Sequence, residues 1–312
     1  MKKERFVLKK EIKLDENLAW LVGFYLAEGS KTRDYIGVSN NELCLINKSL
    51  RLFKKVLGID KTSWTIWIKT NKRRHKEKEI LRKKWSQKIK QEVRISYGKF
   101  AFNENIEIRI NSRKLSSFLN NILKKYPKKI LQDRELTLNF LKGYIIGDGG
   151  ITLRQKQIHY VGITVKELEY RNYLIKALEL LYHKTPNIRM TKKSYELYYC
   201  HVSIITKIII DGLFDDLDRQ RNKLIKGYEN KQYTRARIKY WAQIYKKSLN
   251  PNKIAELSGN SHWSVRDALN LDIKRGLVRS QYKLMDKKGY RYKFYSLSKK
   301  GRKLFNIIKG VK

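Results

Sequence analysis

Two acidic residues, Glu28 and Asp148, occupy the same place in two similar nonapeptides about 120 residues apart. The segments are 21–29 and 141–149, and each reads apolar, variable, Gly, aromatic, apolar, apolar, small, acidic, Gly. If each segment ends a helix, its acid lies beside the negative end of the helix dipole, where a carboxylate is unfavourable. These two positions are therefore candidates for chemistry.

The two segments are expected to form helices that pack against each other. Small residues four positions apart share one face of each helix and let two backbones approach closely. These are Gly23 and Ala27, and Gly143 and Gly147. The closing glycines, Gly29 and Gly149, are expected in the left-handed conformation that ends many helices.

Such packing would bring Glu28 and Asp148 close together. Like charges so placed repel unless one is protonated or a cation lies between them. A divalent metal held by both carboxylates and by a phosphate removes the conflict, and this arrangement serves phosphodiester hydrolysis. The alternative is that the segments are two ordinary core helices that end at glycine.

The paired nonapeptides resemble the motifs of the LAGLIDADG homing endonucleases in their single-chain, two-repeat form. The resemblance implies hydrolysis of both strands of duplex DNA, with Glu28 and Asp148 each holding Mg²⁺ or another divalent cation such as Mn²⁺. It also implies polar and basic residues around the metals, for which the candidate catalytic positions are Asn40, Lys166 and Arg109. Val165 stands where the first repeat has Asn40, so the two halves are expected to differ.

The composition points to a nucleic-acid partner. The 312 residues contain 71 Lys and Arg against 29 Asp and Glu, a formal net charge of +42. So large an imbalance is self-repulsive unless a polyanion neutralises it. No apolar run approaches a membrane span, and two distant cysteines indicate no disulfide framework. We expect a cytoplasmic monomer that binds double-stranded DNA, with an intron RNA as an alternative partner.

The order of predicted elements repeats along the chain. Helix, two strands, helix, two strands and helix occur twice, which predicts an α+β fold of two pseudo-symmetric αββαββα repeats. The resemblance implies that their antiparallel sheets form a saddle on DNA. The predicted domains are 1–126, with a basic insertion near 69–92, then 134–230 and 240–312, and Pro127–Asp133 links the repeats.

Two regions of the repeats are candidates for DNA contact. Residues 69–99 hold 13 Lys or Arg against three Glu without an extended apolar face, and predict a hairpin or helix on a phosphate backbone, contacting it through Arg73 and Arg74. Strand alternation places further polar residues on one sheet face, namely Arg109, Arg154, Lys156, His159 and Ser203. An ordinary solvated charge run and a solvated sheet face are the alternatives.

The last 73 residues resemble a winged helix-turn-helix, with 18 Lys or Arg against four acids. Ile254, Ala255 and Leu257 are expected to pack a first helix, Gly259 to turn, and Ser261 to cap a second helix that enters a DNA groove. The predicted contacts of this region are His262, Trp263, Ser264 and Arg266 on the second helix, and Lys287 and Lys288 at the wing tip. Protein binding is the alternative.

Other functions are less well supported by the sequence. The five histidines are scattered and no Walker-type phosphate loop is present. The chain has neither an N-terminal Cys or Ser nor a terminal His-Asn pair, so we expect it to be separate from an intein. Two alternatives to an endonuclease stay open, a transcription regulator that binds DNA without cutting it and an RNA maturase that aids intron splicing.

Overall fold

The computed structural model describes residues 8–9, 11–30, 32–98, 104–191, 193–284 and 291–310. In the described part of the first repeat, α-helices and single strands alternate up to the last two strands, which are consecutive in the sequence and are followed by a helix. Its elements are α1 (Glu16–Glu28), β1 (Ile36–Asn40), α2 (Leu43–Leu52), β2 (Thr65–Asn71), α3 (Lys78–Ile89), β3 (Val93–Gly98), β4 (Asn105–Ile110) and α4 (Arg113–Ile130). A π-helical turn, Phe53–Leu57, extends α2, and a 3₁₀ segment, Lys72–Glu77, precedes α3.

The second repeat follows the predicted order throughout. Its elements are α5 (Arg134–Asp148), β5 (Gly149–Arg154), β6 (Gln157–Val165), α6 (Leu168–Tyr182), β7 (Asn187–Met190), β8 (Tyr195–Tyr199) and α7 (Val202–Asp211). Gln155 and Lys156 join β5 to β6 with positive φ at both positions, the geometry of a tight type I′ hairpin turn. The predicted α+β class with two helix-and-sheet repeats is therefore confirmed.

The sheets of the two repeats have corresponding strand orders once an insertion is set aside. The second sheet has the order β5-β6-β8-β7, and the first has the order β1-β4-β2-β3. In the first repeat a single bridge between Gly29 and Val38 stands where the second repeat has a full strand. A single short strand at 35–39 is predicted from the sequence at this point of the first repeat, and the structure has β1 at Ile36–Asn40.

The insertion adds α3 and the edge strand β3 to the first sheet. β3 runs parallel to β2, whereas β4 pairs antiparallel with both β1 and β2. The prediction that this basic region has no extended apolar face was wrong, because Leu81, Trp85 and Ile89 are buried four residues apart along α3. The Glu104 carboxylate fixes the helix further, accepting hydrogen bonds from the Trp85 indole and from Lys84.

The C-terminal region is mainly helical. Its elements are α8 (Asp218–Glu229), α9 (Gln232–Ile244), α10 (Pro251–Ser258), α11 (His262–Lys274), β9 (Val278–Leu284), β10 (Arg291–Leu297) and α12 (Lys299–Lys309). The carboxylate of Asp272 on α11 is fully buried and accepts hydrogen bonds from Arg237 (2.9 Å) and Trp241 (3.0 Å), both on α9. The domain start proposed at residue 240 therefore falls inside a helix that is bound to α11.

Two other predicted boundaries and one predicted core position were wrong. Pro127–Asp133 is mostly not a linker, because α4 continues to Ile130 and buries Pro127 in its last turn. The predicted strand 195–205 ends at Tyr199, and Ser203 belongs to α7, so it does not lie on the sheet face. Leu257 was expected in the core of α10 but is exposed.

By internal contacts the chain divides into two compact units. One comprises residues Met1–Gly149 and Ile163–Leu197, and the other comprises Gly150–Gly162 and Tyr198–Lys312. The two motif helices, α1 and α5, both belong to the first unit and form its centre. Their buried residues are mostly apolar and include Leu18, Phe24, Phe140 and Leu141.

Candidate active site at the ends of two packed helices

Both motif helices begin at an aspartate and end at the candidate acid. The Asp15 side chain accepts a hydrogen bond from the Leu18 amide, and the Asp133 side chain accepts one from the Leu136 amide. These N-caps satisfy amides that have no partner within the helix. At the other ends, Glu28 is the last residue of α1 and Asp148 is the last residue of α5.

The two helices pack backbone against backbone at the predicted glycines. A Cβ atom placed on Gly23 would lie 2.0 Å from the carbonyl oxygen of Phe140, and one placed on Gly143 would lie 2.1 Å from that of Trp20. Neither position has room for a methyl group. The glycine spacing therefore sets how closely α1 and α5 approach, and it fixes where their C-terminal ends lie.

The helices end differently from the sequence prediction. Gly29 and Gly149 are both extended, with φ of −75° and −89°, so the expected left-handed conformation was wrong. Glycine is still required, because a Cβ on Gly29 would lie 2.3 Å from the Tyr25 carbonyl oxygen, and one on Gly149 2.4 Å from that of Ile145. The backbone is therefore extended at the residue that follows each acid.

Glu28 is held in a single orientation by Asn40 at the end of β1. The Asn40 side-chain amide donates to Glu28 Oε1 at 2.9 Å, and Asn40 Oδ1 accepts from the Glu42 backbone amide at 2.9 Å. Because the Glu42 amide occupies the oxygen, the NH₂ group of Asn40 must face the carboxylate. The structure thus brings Asn40, a position predicted from the sequence, to the candidate acid.

The Glu28 side chain also lies against the end of the other helix. A Cβ on Gly147 would come within 2.9 Å of Glu28 Cγ and 3.0 Å of its carboxyl carbon. Gly147 is the residue immediately before Asp148, so the two acids lie at one place. Any larger residue at position 147 would push the Glu28 carboxyl group away from Asp148.

The electrostatics of this place match the expected conflict between like charges. The pKa of Glu28 is raised to about 7, chiefly by burial and to a smaller extent by the negative charge of Asp148, while the hydrogen bond from Asn40 opposes the shift. A cation that offsets the neighbouring charge would stabilise the ionised form of such a carboxyl group and displace its proton to solvent. Two carboxylates of this kind supply the hard oxygen ligands that Mg²⁺ and similar ions prefer.

Tyr144, which the sequence prediction treated only as the aromatic position of the motif, lies on the Asp148 side. Burial and then the charge of Asp148 raise the pKa of its hydroxyl, and a hydrogen bond between the two side chains adds to this effect. The hydroxyl also donates to the Thr164 carbonyl oxygen at 3.4 Å. Phe24 occupies the equivalent position in the first motif, so this hydroxyl is a difference between the halves. The sequence signal for a role of Tyr144 is that a tyrosine in a buried helix needs a hydrogen-bond partner for its hydroxyl.

Lys166 lies two residues beyond Thr164, in an exposed turn after β6. The neighbouring Glu167 is close enough for its charge to raise the pKa of Tyr144, after the larger effects of burial and Asp148. The turn that carries Lys166 therefore lies beside the tyrosine that contacts Asp148. Val165 is buried, as expected of an apolar residue in the place of Asn40.

Arg109 lies on the other face of the first sheet from Asn40. It pairs with Gly37, whereas Asn40 pairs with Ile106, so the two side chains are separated by three residues, about 10 Å along the strand. Its guanidinium stacks on the Tyr35 ring at 3.6 Å from the centroid. Among the described residues the Arg109 Nε has no hydrogen-bond acceptor although it is buried. The structure therefore places Arg109 on the polar sheet face and not beside Glu28.

The other candidate contacts of the repeats are dispersed. Arg154 and His159 are exposed on β5 and β6, while Lys156 lies in the turn between them. Arg73 is exposed in the 3₁₀ segment before α3. The Arg74 guanidinium is bound by the carboxylates of Glu77 and Glu104, which leaves it less free for phosphate.

The candidate contacts of the C-terminal region lie at the start of α11. Ser261 caps this helix, and Gly259 turns the chain with φ of +67° as predicted. Trp263 and Ser264 are exposed, and the Arg266 guanidinium lies 4.0 Å from the centroid of the Trp263 ring. His262 contacts the same ring edge to face. Lys287 and Lys288 lie outside the described residues.

The remaining titratable residues of the described chain do not form a second ligand cluster. No group of three or more His, Cys, Asp and Glu side chains there is arranged to hold a metal. Nor does any helix of the described segments combine the length and the apolar character that crossing a bilayer requires. The pair of acids at the helix ends is thus the site with the clearest chemistry.

Replacing Glu28 by Gln is expected to stabilise the metal-free protein at pH 8 by about 1–3 kcal/mol. The pKa of Glu28 rises from 4.5 to about 7 on folding, so its contribution to stability is complete below pH 4.5 and is lost as the pH rises through 7. Gln can still accept the hydrogen bond from Asn40 but carries no charge. Urea unfolding with EDTA at pH 5 and pH 8 measures this. A difference from the native protein that is the same at both values contradicts the assignment.

The comparisons with known proteins give distant likenesses. No protein-family model matches the sequence. The DNA-directed RNA polymerase subunit Rpo1C of Methanocaldococcus jannaschii is 23% identical over 242 residues, which is 68% of this chain, and the chain spans only 23% of that subunit's length. The likeness therefore concerns a part of that subunit.

Among solved structures, two kinds of protein are similar. The N-terminal LAGLIDADG domain of WhiA is 17% identical with a TM-score of 0.42, covering 67% of this chain and 86% of that domain. The homing endonuclease I-DmoI in complex with DNA and Mn is 14% identical with a TM-score of 0.39, covering 63% of this chain and 96% of the other. At these TM-scores neither protein assigns a role to any residue of this chain.

Proposed function

We propose that this chain is a divalent-metal-dependent endonuclease that cuts both strands of duplex DNA at a long target site. The observation that supports it most directly is the meeting of two acids at the ends of two glycine-packed helices. A structural role does not explain this arrangement, because it places like charges together beside two negative dipole ends. A metal ion and a phosphate resolve that conflict.

Glu28 and Asp148 are the residues that would hold the metal, which we propose to be Mg²⁺, with Mn²⁺ as a substitute. When bound, a divalent cation neutralises charge on the phosphate and lowers the pKa of a water molecule. The chain's own residues orient the carboxylates: Asn40 fixes Glu28, the Tyr144 hydroxyl contacts Asp148, and Gly147 leaves room between them. Lys166, exposed in the nearby turn, would face a phosphate oxygen.

Duplex DNA is the proposed substrate because of the charge of the chain and the polar face of its first sheet. Arg109 and Arg94 lie on this face, and their guanidinium groups are held over Tyr35 and Trp67 at 3.6 and 5.4 Å from the ring centroids. Arginines that are already stacked lose little further freedom on binding. In this proposal Arg109 contacts the phosphate backbone and does not take part in the cleavage step.

The C-terminal helices and the β9–β10 hairpin are proposed to be a winged helix-turn-helix. The order α10, turn at Gly259, α11, hairpin and α12 supports this, as does the charge of the region. His262, Ser264 and the wing lysines Lys287 and Lys288 would add duplex contacts, as Arg73, Arg154, Lys156 and His159 would in the repeats. None of these contacts is required for the chemistry at Glu28 and Asp148.

The experiment that tests the function is cleavage of a randomised duplex library with Mg²⁺, followed by sequencing of the cut ends. EDTA and a Glu28→Gln/Asp148→Asn double variant are the controls. Cuts that require both metal and acids, at one long sequence, establish the endonuclease. Selective binding of one duplex without cutting would instead identify a non-cleaving regulator, and selective binding of a folded intron RNA would identify a maturase.

Duplex affinity is expected to fall at least about a thousandfold between 50 and 200 mM salt. The chain carries +42 formal charges, and each phosphate that it neutralises releases a bound cation from the DNA. Titration of a labelled duplex in EDTA at several salt concentrations gives the slope, and the number of phosphates follows from it. A nearly flat response would mean that the excess charge serves another purpose.

A further inference from the structure

The α11 helix and the β9–β10 hairpin expose large side chains that the proposed cleavage site does not use. Trp263 is 63% exposed, Tyr282 67% and Leu284 65%. Exposure of large aromatic and aliphatic side chains to water is unfavourable, and a cluster of them indicates a binding surface. They form a binding surface only if they are contiguous and if their chemistry matches that of a ligand.

The residues on α11 share one face. Trp263, Arg266 and Asn270 are spaced by three and four positions, which places them in a row along the helix. The Arg266 guanidinium lies over the Trp263 ring at 4.0 Å from the centroid, so the indole and the cation are already held together. Asp267 is exposed beside them and is the acid of this face.

The hairpin turns one of its faces towards this row. Tyr282 pairs with Lys293, Leu284 with Arg291, and Ser280 with Tyr295, so these residues lie on the same side of the two strands. The Lys293 ammonium and the Tyr295 hydroxyl both donate to Asn270 Oδ1, at 3.0 and 3.3 Å. The hydrogen bonds join the hairpin face to the α11 row through Asn270.

The environment of Tyr295 confirms that the two parts are contiguous. Burial raises the pKa of its hydroxyl, and the positive charge of Arg266 opposes that shift. Tyr282 and Asp267 both raise the pKa of the same hydroxyl. Charged and polar groups of α11 and of the outer hairpin thus act on one buried ring, and the hydrogen bonds through Asn270 join the two parts.

A surface of exposed rings beside cations fits the faces of nucleotide bases. Base–aromatic stacking and cation–phosphate attraction are the two interactions by which proteins hold single strands. In a duplex the base faces are stacked on one another and only their edges reach the grooves. An exposed indole flanked by a guanidinium therefore gains more from an unpaired base than from a base pair.

We propose that the surface formed by Trp263, Arg266, Lys293 and Tyr282 binds unpaired nucleotides of a single-stranded nucleic acid. Bases stack on the two rings, and the cations contact the backbone phosphates. Asp267 disfavours phosphate at its own position, so the backbone passes on the side of Lys293 and Arg291. The surface goes beyond the duplex contacts proposed for the repeats.

The test separates base stacking from general attraction to a basic protein. Affinities of the full-length chain are measured by fluorescence anisotropy in EDTA at 150 mM salt. The probes are a 12-nucleotide DNA strand, the same strand with abasic sites at every position, an RNA of the same sequence and the corresponding duplex. The abasic strand keeps all phosphates, so only stacking distinguishes it from the first probe.

The native protein is expected to bind the base-bearing DNA or RNA strand at least about tenfold more tightly than the abasic strand. Trp263→Ala should remove at least about fivefold of that preference, and Trp263→Phe should keep most of it. Tyr282→Ala should act as Trp263→Ala does. Tyr292→Ala is the matched control, because Tyr292 pairs with Lys283 and lies exposed on the opposite hairpin face. The DNA and RNA arms identify which strand is preferred.

Two results would overturn the proposal. One is equal affinity of the native protein for base-bearing and abasic strands. The other is a preference that survives both Trp263→Ala and Tyr282→Ala while duplex binding weakens, which would return α11 to groove reading. Because the measurements are made in EDTA, neither result depends on whether Glu28 and Asp148 cut DNA.

Discussion

Glu28→Gln is expected to lower the rate of DNA cleavage by at least about a thousandfold, which corresponds to about 4 kcal/mol in the activation barrier. Asp148→Asn should have an effect of similar size. Each substitution keeps the shape of the side chain and removes a negative charge that would hold a divalent cation. Duplex affinity in EDTA should change less than about threefold, because both acids repel phosphate in the absence of metal.

Single-turnover cleavage of the target duplex, with binding measured on the same samples, separates the two effects. Glu42→Gln is a matched control, because Glu42 contacts Asn40 through its backbone amide, which the substitution keeps. Unchanged cutting by either Glu28→Gln or Asp148→Asn would falsify the assignment of the acids. Loss of binding in parallel with cleavage would instead point to a damaged fold.

Gly143→Ala is expected to destabilise the protein by about 3 kcal/mol or more. Its added Cβ would lie 2.1 Å from the Trp20 carbonyl oxygen and 2.8 Å from the Phe24 nitrogen. Both atoms belong to the backbone of α1, so the clash is relieved only if the helices separate and lose buried apolar contacts. The intrinsic helix preference of Ala over Gly, about 1 kcal/mol, acts in the opposite direction and is outweighed.

Thermal and urea unfolding measure this change. Gly150→Ala is the control, since a Cβ at Gly150 would meet no atom within 4 Å. It should leave the free energy of unfolding within about 0.5 kcal/mol of the native value. Should Gly143→Ala be as stable as this control, α1 and α5 are not in the close contact described.

The motif helices could be predicted from the sequence almost to their ends. The helix predicted around segment 21–29 is found as Glu16–Glu28, and a capping aspartate, an apolar stretch and a closing glycine all indicate these limits. The approach of the helices was also predictable, since glycine is costly in a helix interior unless a neighbour needs the space. Asn40 was found by its position after the first strand.

The inserted helix and α7 could be predicted less well, for two different reasons. In α3 the three buried residues, Leu81, Trp85 and Ile89, are separated by lysines, arginine and polar residues that hide the period. In α7 the isoleucines are typical of strands, but Ile204, Ile205, Ile208 and Ile209 are buried on a helix. Packing overrides local preference there.

Parts of the candidate site depend on partners that are distant in sequence. The face on which Arg109 lies is set by its pairing with Gly37, 72 residues away, so position along the chain suggested the wrong neighbourhood. Tyr144 was visible as an aromatic residue, but its contact with Asp148 follows from how α5 ends. The positions of charges relative to each other are fixed by tertiary structure and could not be read from spacing.

The short connection between the two repeats has a consequence for how the site can vary. α4 ends at Ile130 and the Asp133 cap of α5 follows within three residues, so a covalent tether of almost no length joins the halves. In a symmetric dimer of identical chains, every substitution would appear in both halves of the site. The pairing of the two helices would also depend on protein concentration. Within one chain the pairing is independent of dilution. Each half can therefore carry its own partners, as Asn40 and Tyr144 do, and under the proposed function the target need not be palindromic.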